Sequence, residues 1–308
     1  MSGERVLVTG GSGFIGSALV EELVRRGADV TCVLLPPDPA AHLAEVRQEI
    51  RICRADLADL EAVRDAVKAA RPEAVFHLAA TGVADVQVDP ALAVRVNVEG
   101  TLNLLNALQG NYRAFVNTGT CHEYGGNEPP FREDQDPRPE LPYAITKTAA
   151  WHFCNRYHRT AGWPIVTLRP FSVYGPRQAP NAFIPACIHA AQVGRDFDMT
   201  LGEQTRDCVY VDDIVEGFIL AATVPEAIGG TFNLCTSREV PLYRIAQVIV
   251  EQMGHPIAIH RGALPYRGGE IWRLVGDNGR AREILGWAPR VSLGEGLRRT
   301  IAAAGAHG

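Results

Sequence analysis

Two side chains four residues apart, Tyr143 and Lys147, are the first candidates for chemistry in this sequence. They fall in a segment, about 143–160, whose pattern predicts a helix, and a spacing of four places both on one helix face. A lysine cation lowers the pKa of a neighbouring phenol, which can then exchange a proton with a substrate hydroxyl. The same spacing also occurs by chance on solvated helix faces, so its meaning depends on the rest of the chain.

A glycine-rich segment near the amino terminus predicts a binding site for phosphates. Residues 9–16 read Thr-Gly-Gly-Ser-Gly-Phe-Ile-Gly and lie between a predicted strand and a predicted helix. Glycines there allow a tight turn and a close approach to a pyrophosphate, to which the helix N-terminus donates N–H groups. A purely structural turn is the alternative. We expect a dinucleotide to contact Gly10, Gly13, Phe14, Ile15 and Gly16.

The identity of the dinucleotide is less well marked. The adenosine ribose of NAD is usually read by an acidic residue about twenty residues past the glycines. This chain has Leu34 and Leu35 there, without an arginine that could hold the 2′-phosphate of NADP. Since no acid repels a phosphate, the sequence slightly favours NADPH over NAD. Asp56, followed by Leu57, is expected beside the adenine, and a helix N-cap is the alternative role for Asp56.

Apolar β-branched runs alternate with helical periodicity along the first 170 residues. This alternation predicts an α/β fold, a Rossmann doubly wound parallel sheet with helices on both faces and a smaller C-terminal substrate-binding lobe. The predicted strands are 5–9, 29–34, 74–79, 113–118 and 164–169, and the helices are 13–26, 59–70, 98–109 and 143–160. We assign 1–175 to the cofactor domain, with 206–235 returning to it, and 176–205 and 236–308 to the lobe.

Composition argues against several classes of protein. A net charge of −5 without a basic cluster gives no reason to expect nucleic acid. The seven cysteines and nine histidines lack the spacing of a disulfide framework or a metal site, so no metal is expected. The longest apolar stretch, 217–224, is too short for a bilayer, and the apolar run at 6–8 begins too early for a signal peptide. These features predict a cytoplasmic protein that binds no membrane.

The segment 117–125, Asn-Thr-Gly-Thr-Cys-His-Glu-Tyr-Gly, follows a predicted strand and precedes the Tyr143 helix. With the glycine loop and the Tyr-x-x-x-Lys pair, it resembles the extended short-chain dehydrogenase/reductases that act on sugar nucleotides. In that family, a serine or threonine five residues before the glycine of this Tyr-Gly hydrogen-bonds the reacting sugar oxygen. The resemblance therefore implies a catalytic triad of Thr120, Tyr143 and Lys147, with Tyr143 and Lys147 also contacting the cofactor.

The resemblance covers nearly the whole chain. The segment 77–80 is similar to one that lines the cofactor, which implies contacts from Leu78, Ala79 and Ala80. Ser172 lies in the loop beside nicotinamide and substrate, where many relatives have asparagine. Arg206 and Arg267 match two segments whose arginines hold the nucleotide diphosphate, although each could instead form a surface salt bridge.

Two departures from the family bear on the reaction. The 4,6-dehydratases carry an Asp-Glu pair after the catalytic threonine, where this chain has Cys121 and His122. A neutral thiol and an imidazole cannot replace that acid/base pair, so we expect these residues to contact substrate without dehydrating it. His122 is either a hydrogen-bonded histidine or a proton donor. The Glu-Tyr-Gly ending is similar to relatives that reduce a 4-keto sugar nucleotide.

The sequence therefore favours an NAD(P)H-dependent 4-ketoreductase of a nucleotide-linked 4-keto-6-deoxy sugar. An NAD-dependent C4 epimerase of a UDP-hexose or UDP-hexuronate is the first alternative, and a non-catalytic NADPH-binding sensor or scaffold is the second. Family members commonly pair through two helices, here 98–109 and 144–158, so we expect a homodimer. The apolar residues that predict it are Leu102, Leu104, Leu105, Ile145, Ala149, Trp151 and Phe153.

Overall fold

The computed structural model describes residues 1–83, 88–254, 257–266 and 268–305. Its strands are β1 (Arg5–Thr9), β2 (Asp29–Leu34), β3 (Ile50–Arg54), β4 (Ala74–His77), β5 (Ala114–Thr118), β6 (Ile165–Pro170), β7 (Ser172–Tyr174), β8 (Phe197–Met199), β9 (Thr205–Arg206), β10 (Cys208–Tyr210), β11 (Thr231–Leu234), β12 (Val240–Pro241), β13 (Ile259–Arg261) and β14 (Arg273–Leu274). Its helices are α1 (Phe14–Arg25), α2 (Leu60–Ala70), α3 (Pro90–Ala93), α4 (Gly100–Leu108), α5 (Pro142–Ala161), α6 (Phe183–Gln192), α7 (Val211–Thr223), α8 (Leu242–Met253) and α9 (Leu293–Gly305).

Seven parallel strands form the central sheet in the order β11-β6-β5-β4-β1-β2-β3. The chain starts at β1, builds outward to β3, and then returns past β1 to build outward again from β4. The predicted doubly wound α/β fold is therefore confirmed. In such sheets, ligands bind at the carboxyl ends of the strands where the order reverses, which here is between β1 and β4.

Helices cover both faces of this sheet. In β1, Val6 and Val8 belong to the apolar cluster that includes side chains of α1 and α7, whereas Leu7 belongs to the cluster with side chains of α2 and α4. Because both faces are buried, the strand is apolar at successive positions instead of alternating with polar residues. Covering helices of this kind explain why the strands read as short unbroken apolar runs.

Two elements differ from the sequence prediction. The helix expected over 98–109 is preceded by α3 and a π-helical segment, Val94–Glu99, that leads into α4. Asp89 caps α3 by accepting a hydrogen bond from the Ala91 N–H, and Pro90 occupies the first helical position, so this start has a local cause. Within the segment expected to rejoin the main sheet, β11 does so by pairing with β6, whereas β10 pairs with β7 and α7 packs on β5 and β6.

The remaining short strands form three small sheets, β10-β7, β12-β9-β14 and β13-β8. Side chains from α6, α8 and α9 pack together in a third apolar cluster, in which Ile188, Ile249 and Leu297 are buried. Among the described residues, no helix is both long enough and apolar enough to cross a bilayer.

The glycine loop is fixed by direct backbone contact with the sheet edge. Gly10 has φ +67°, and a Cβ there would lie 2.7 Å from the Ala79 nitrogen that follows β4. A Cβ at Gly16 would collide with the Gly10 carbonyl oxygen. The N-terminus of α1 can therefore approach the ends of β1 and β4 only because these positions lack side chains.

We predict that Gly10→Ala destabilises the protein far more than Gly162→Ala does. Gly162 also has a positive φ, +69°, but a Cβ there would meet nothing within 4 Å. Gly162→Ala should cost only the strain of a left-handed alanine, about 1–2 kcal/mol, whereas Gly10→Ala adds the collision. Urea unfolding of both variants measures the difference, and equal losses would contradict the close approach.

Candidate active site

Thr120 lies just past β5, at the start of a 3-10 helix, Cys121–Tyr124. Its backbone is extended, and its Oγ1 accepts a hydrogen bond from the His122 N–H at 3.3 Å. The Glu123 carboxylate accepts in turn from the Thr120 N–H at 2.8 Å. This reciprocal capping box fixes both the backbone and the hydroxyl of Thr120, which is 6% exposed.

Tyr143 and Lys147 lie in the first two turns of α5, which begins with Pro142 at its first position. The buried Asn97 amide anchors this end of the helix. Its Oδ1 accepts from the Thr81 N–H at 2.8 Å, and its Nδ2 donates to the Thr146 hydroxyl at 2.9 Å. Asn97 thereby ties α5 to the chain that follows β4, the strand beside the glycine loop.

The structure brings Tyr143 and Thr120 together. Burial raises the pKa of the Tyr143 phenol, and a hydrogen bond with the Thr120 side chain partly opposes that rise. We expected Lys147 to lower this pKa, but burial dominates in the ligand-free chain because it disfavours the phenolate. Tyr143 is therefore a neutral phenol at pH 7.

Lys147 is 1% exposed, and within the described part of the chain its Nζ has no hydrogen-bond partner. Burial lowers the pKa of this ammonium to about 8, against the opposing effect of the Glu123 carboxylate. A buried cation with free N–H groups is costly unless something else accepts from it. Lys147 thus has unused donors at the centre of the site.

Glu123 and Arg169 form a fully buried ion pair that the sequence analysis did not identify. Arg169 Nη2 lies 2.8 Å from Glu123 Oε2, and both side chains are 0% exposed. The Arg169 guanidinium lies over the rings of Tyr124 and Trp151, 4.7 and 4.9 Å from their centroids. The Thr-x-x-Glu spacing of the capping box could have indicated Glu123, whereas nothing local to Arg169 indicates its partner.

The residues expected to hold a dinucleotide fit such a molecule. Helix α1 starts after Gly13 without a side-chain cap and without an acidic residue in its first turn. Its first N–H groups, at Phe14, Ile15 and Gly16, are therefore open to an anion. Leu78, Ala79 and Ala80 follow β4 at the same sheet edge and are half-buried. The free Lys147 ammonium adds a donor on the other side of the crevice.

An acidic residue does reach the glycine loop, from farther along the chain than expected. The Asp38 carboxylate accepts from the Ser12 hydroxyl at 2.5 Å and from the Ala40 N–H at 2.7 Å. The loop after β2 thus folds back over the phosphate loop. Leu34 and Leu35 carry no acid, but Asp38 supplies one close by.

Asp56 follows β3, where its Oδ1 accepts from the Ala58 N–H at 2.9 Å and its Oδ2 lies 3.2 Å from Arg95. It is not the N-cap of α2, because Asp59 fills that position by accepting from Glu61 and Ala62 N–H groups. Leu57, beside Asp56, is buried.

Cys121 and His122 are uncharged at neutral pH. Burial raises the pKa of the Cys121 thiol to about 12. Burial, and then the Arg206 cation, lower the pKa of His122. Its Nδ1 is buried without a hydrogen-bond partner in the described residues. Neither side chain can supply the paired carboxylates that dehydration requires.

Arg206 is engaged within the chain. Its guanidinium donates to the Glu270 carboxylate at 2.8 Å and to the carbonyls of Thr205 and Ile271. A diphosphate would therefore have to compete with Glu270 for this group. Ser172 begins β7 and is half-buried, whereas Arg267 lies outside the described residues.

A model of the NAD dependent epimerase/dehydratase family matches residues 6–235. The chain belongs to this family. A UDP-glucose 4-epimerase from Mycolicibacterium smegmatis is 34% identical over 312 residues, covering 96% of this chain and 97% of that protein. A GDP-6-deoxy-D-mannose reductase from Pseudomonas aeruginosa is 29% identical over 315 residues, covering 97% and 96%. The crystal structure of a UDP-glucose 4-epimerase with UDP-glucose from Thermotoga maritima superposes with a TM-score of 0.91 at 30% identity, covering 98% and 99%.

The resemblance inferred from the motifs is thus confirmed, and with it the expectation of an enzyme of the epimerase/dehydratase family. Relatives of this family include both epimerases and a reductase of nucleotide-linked sugars. The relatives share one family but catalyse different reactions, so family membership alone does not identify the reaction of this chain.

We predict that Lys147→Met stabilises the cofactor-free protein at pH 7 by up to about 3 kcal/mol, because it removes a cation whose pKa is lowered by burial, while Glu123 keeps Arg169 as its partner. The folded-state pKa of Lys147 is lowered, so its burial costs most below pH 8. That cost is relieved as pH rises from about 8 towards about 10.4, the usual lysine value. Thermal melting of both proteins at pH 7 and pH 10 measures this, and a lower melting temperature for Lys147→Met at pH 7 would contradict it.

Proposed function

We propose that the chain is an NAD-dependent epimerase that inverts C4 of a nucleotide-linked hexose or hexuronate. The observation that carries this proposal is the Thr120–Tyr143 pair beside a buried lysine with free donors, flanked by neutral groups at Cys121 and His122. Such a site can move one proton at one oxygen. It lacks a second acid/base pair that could remove water from adjacent carbons.

In this proposal, bound NAD supplies reversible hydride exchange at the carbon that carries the reacting oxygen. Tyr143 would act here as a phenolate, which forms once the cations of Lys147 and of bound NAD lower the phenol's pKa and its proton passes to solvent. The phenolate takes the proton from the C4 hydroxyl and later returns it to the same oxygen, while the Thr120 hydroxyl hydrogen-bonds that oxygen. Lys147 would hold the nicotinamide ribose through its free N–H groups. Overall the substrate is neither oxidised nor reduced, and only the configuration at C4 changes.

Asp38 favours NAD over NADP in this proposal, in the opposite direction to the sequence argument from Leu34 and Leu35. Its carboxylate lies against Ser12 of the phosphate loop, where a negative charge would repel a 2′-phosphate and could accept from ribose hydroxyls. An epimerase must keep its cofactor through both half-reactions, so it benefits from such a contact. Asp56 is proposed to contact the adenine.

The small lobe and the sheet edge are proposed to share the substrate. Cys121 and His122 would contact the sugar from the 3-10 helix after β5, and Ser172 from β7. Arg206 and Arg267 are proposed to bind the diphosphate, with Arg206 exchanging its Glu270 partner for phosphate oxygens. We propose that 176–205 and 236–308 form the substrate-binding lobe, and of the residues proposed to contact the substrate Arg267 lies in it.

The 4-ketoreductase remains the second candidate. The neutral phenol of Tyr143 supports it, since a reductase needs a general acid at the start of its cycle. The relationship to a GDP-6-deoxy-D-mannose reductase is consistent with it but somewhat weaker than that to the epimerase.

We expect UDP-glucose or UDP-glucuronate, incubated with the protein and NAD, to be converted to the C4 epimer without a lasting change in nicotinamide absorbance. NMR of the sugar identifies the epimer, and parallel reactions with NADP should be slower. Net consumption of NADH or NADPH with a 4-keto-6-deoxy sugar nucleotide, and no epimer from either UDP sugar, would instead establish the reductase.

Tyr143→Phe provides the control for this assay. It should lower turnover about 10²–10⁴-fold, because only the proton-transfer hydroxyl is lost. The affinity of this variant for NAD, measured by titration calorimetry, should differ little from that of the wild-type protein. Near-normal turnover of this variant would remove Tyr143 from the mechanism whichever substrate proves active.

The homodimer is also a proposal, and the structure changes which residues carry it. Leu104 and Leu105 are fully buried in the chain's own core, and Trp151 donates to the Thr231 hydroxyl at 2.9 Å. These three therefore do not form the expected face. The exposed apolar residues that remain on α5 are Ile145, 48% exposed, and Phe153, 37% exposed. Leu102 and Ala149 are half-buried.

We predict that Ile145→Glu converts a dimer to a monomer, because a carboxylate buried in an apolar interface is costly. Val193→Glu is the control, since Val193 is equally apolar and 57% exposed but lies on the small lobe. Light scattering at micromolar concentrations distinguishes the two masses. A wild-type monomer over that range would contradict the proposed dimer.

A further inference from the structure

The two oxygens of the Glu123 carboxylate accept hydrogen bonds from two different segments of the chain. Oε1 accepts from the Thr120 N–H at 2.8 Å, and Oε2 accepts from Arg169 Nε at 2.9 Å. Gly119 makes room for this arrangement, since a Cβ there would lie 2.5 Å from Glu123 Oε1. The carboxylate thus links Thr120, which follows β5, to Arg169 in β6.

We propose that Glu123 is a positioning residue: it fixes Thr120 through the backbone N–H and sets its negative charge against α5, the helix that carries the buried Lys147 ammonium, while Arg169 holds Glu123 in place. This inference rests on the proposed roles of Thr120 and Lys147 in the reaction. It extends the working site by two side chains that touch neither the reacting oxygen nor the cofactor.

Stability alone does not account for a pair of this kind. Taking two charges fully out of water costs about as much as their attraction returns, and an apolar pair of similar volume is often as stable or more stable. What an apolar pair cannot supply is an acceptor for the Thr120 N–H and a negative charge near Lys147. Helix α5 packs directly on the 3-10 helix that carries Glu123.

The other titratable groups around Lys147 are neutral at pH 7. Burial lowers the pKa of His77 to about 3 and raises that of the Cys154 thiol to about 12, while Tyr143 is a neutral phenol. Among the described residues, Glu123 is therefore the carboxylate that offsets the burial of Lys147.

The chain allows this to be measured directly, because its only lysines are Lys68 and Lys147. Protein labelled with 13C at lysine Cε gives two titrating NMR signals, and the exposed Lys68 on α2 is an internal reference. The measurement needs no substrate or cofactor. Wild-type Lys147 should titrate near pH 8, well below the usual lysine value of about 10.4.

In Glu123→Gln, the Lys147 midpoint should fall by about one pH unit or more, while Lys68 does not move. Glu123→Asp keeps the charge and should restore a midpoint closer to wild type. Glu133→Gln is the control: Glu133 is a half-buried carboxylate that also accepts a backbone N–H, from Asn233 at 2.7 Å, but it contacts neither Thr120 nor α5 through a hydrogen bond. In the Glu133→Gln variant, the titration midpoint of Lys147 should equal that of the wild-type protein.

Glu123→Gln leaves Arg169 without its partner and could unfold, so Glu123→Gln/Arg169→Met is measured in parallel. It removes the stranded cation and should still show a lowered Lys147 midpoint. An unchanged midpoint in either folded variant would overturn the proposal. If the midpoint falls but neither UDP sugar nor keto sugar turns over, the pair is supported and the proposed reaction alone is wrong.

Discussion

The burial of the Lys147 ammonium is the constraint on which the rest of the site depends. A cation at 1% exposure is tolerated only where a nearby anion compensates it and where its N–H groups find acceptors. The chain provides the anion, Glu123, but in the described residues it provides no acceptor. The N–H groups of Lys147 are therefore free to donate to another molecule.

The parallel sheet explains how residues far apart in sequence meet around this lysine. Gly10 follows β1, Ala79 follows β4, Thr120 follows β5, and Arg169 is the penultimate residue of β6. These four strands are consecutive neighbours in the sheet. Parallel strands present all their carboxyl ends at one edge, so each contributes one element of the site. Helix α5 crosses to the same edge and adds Tyr143 and Lys147.

The sequence predicted those parts whose signal is local. The glycine loop is written in eight consecutive residues, and Tyr143 and Lys147 are one helical turn apart. The Glu123–Arg169 pair spans 46 positions and depends on β5 lying next to β6, so no short pattern reveals it. Asp38 reaches Ser12 only through the path of a loop.

Burial was the other quantity that the sequence could not supply. Leu104 and Leu105 are among the apolar residues that predict a dimer, but α4 packs against α2 as well as the sheet, and this widens the buried face of α4. The sequence predicts that Arg206 binds phosphate, yet its guanidinium donates a hydrogen bond to Glu270, which lies 64 residues away in the sequence. Both cases depend on which elements become neighbours after folding, and periodicity within one element carries no information about that.

The charge states at the sheet edge limit the chemistry more than the identity of any single residue does. A dehydration needs an acid and a base on adjacent carbons, whereas Cys121 and His122 are both held neutral by burial. Tyr143 is also neutral, and the Glu123 carboxylate, which lies against Thr120, has both of its oxygens committed to Thr120 and Arg169. It therefore cannot act as a base on substrate. What remains is one phenol that can give and take one proton beside one cation, which is sufficient for redox exchange at a single carbon and insufficient for elimination.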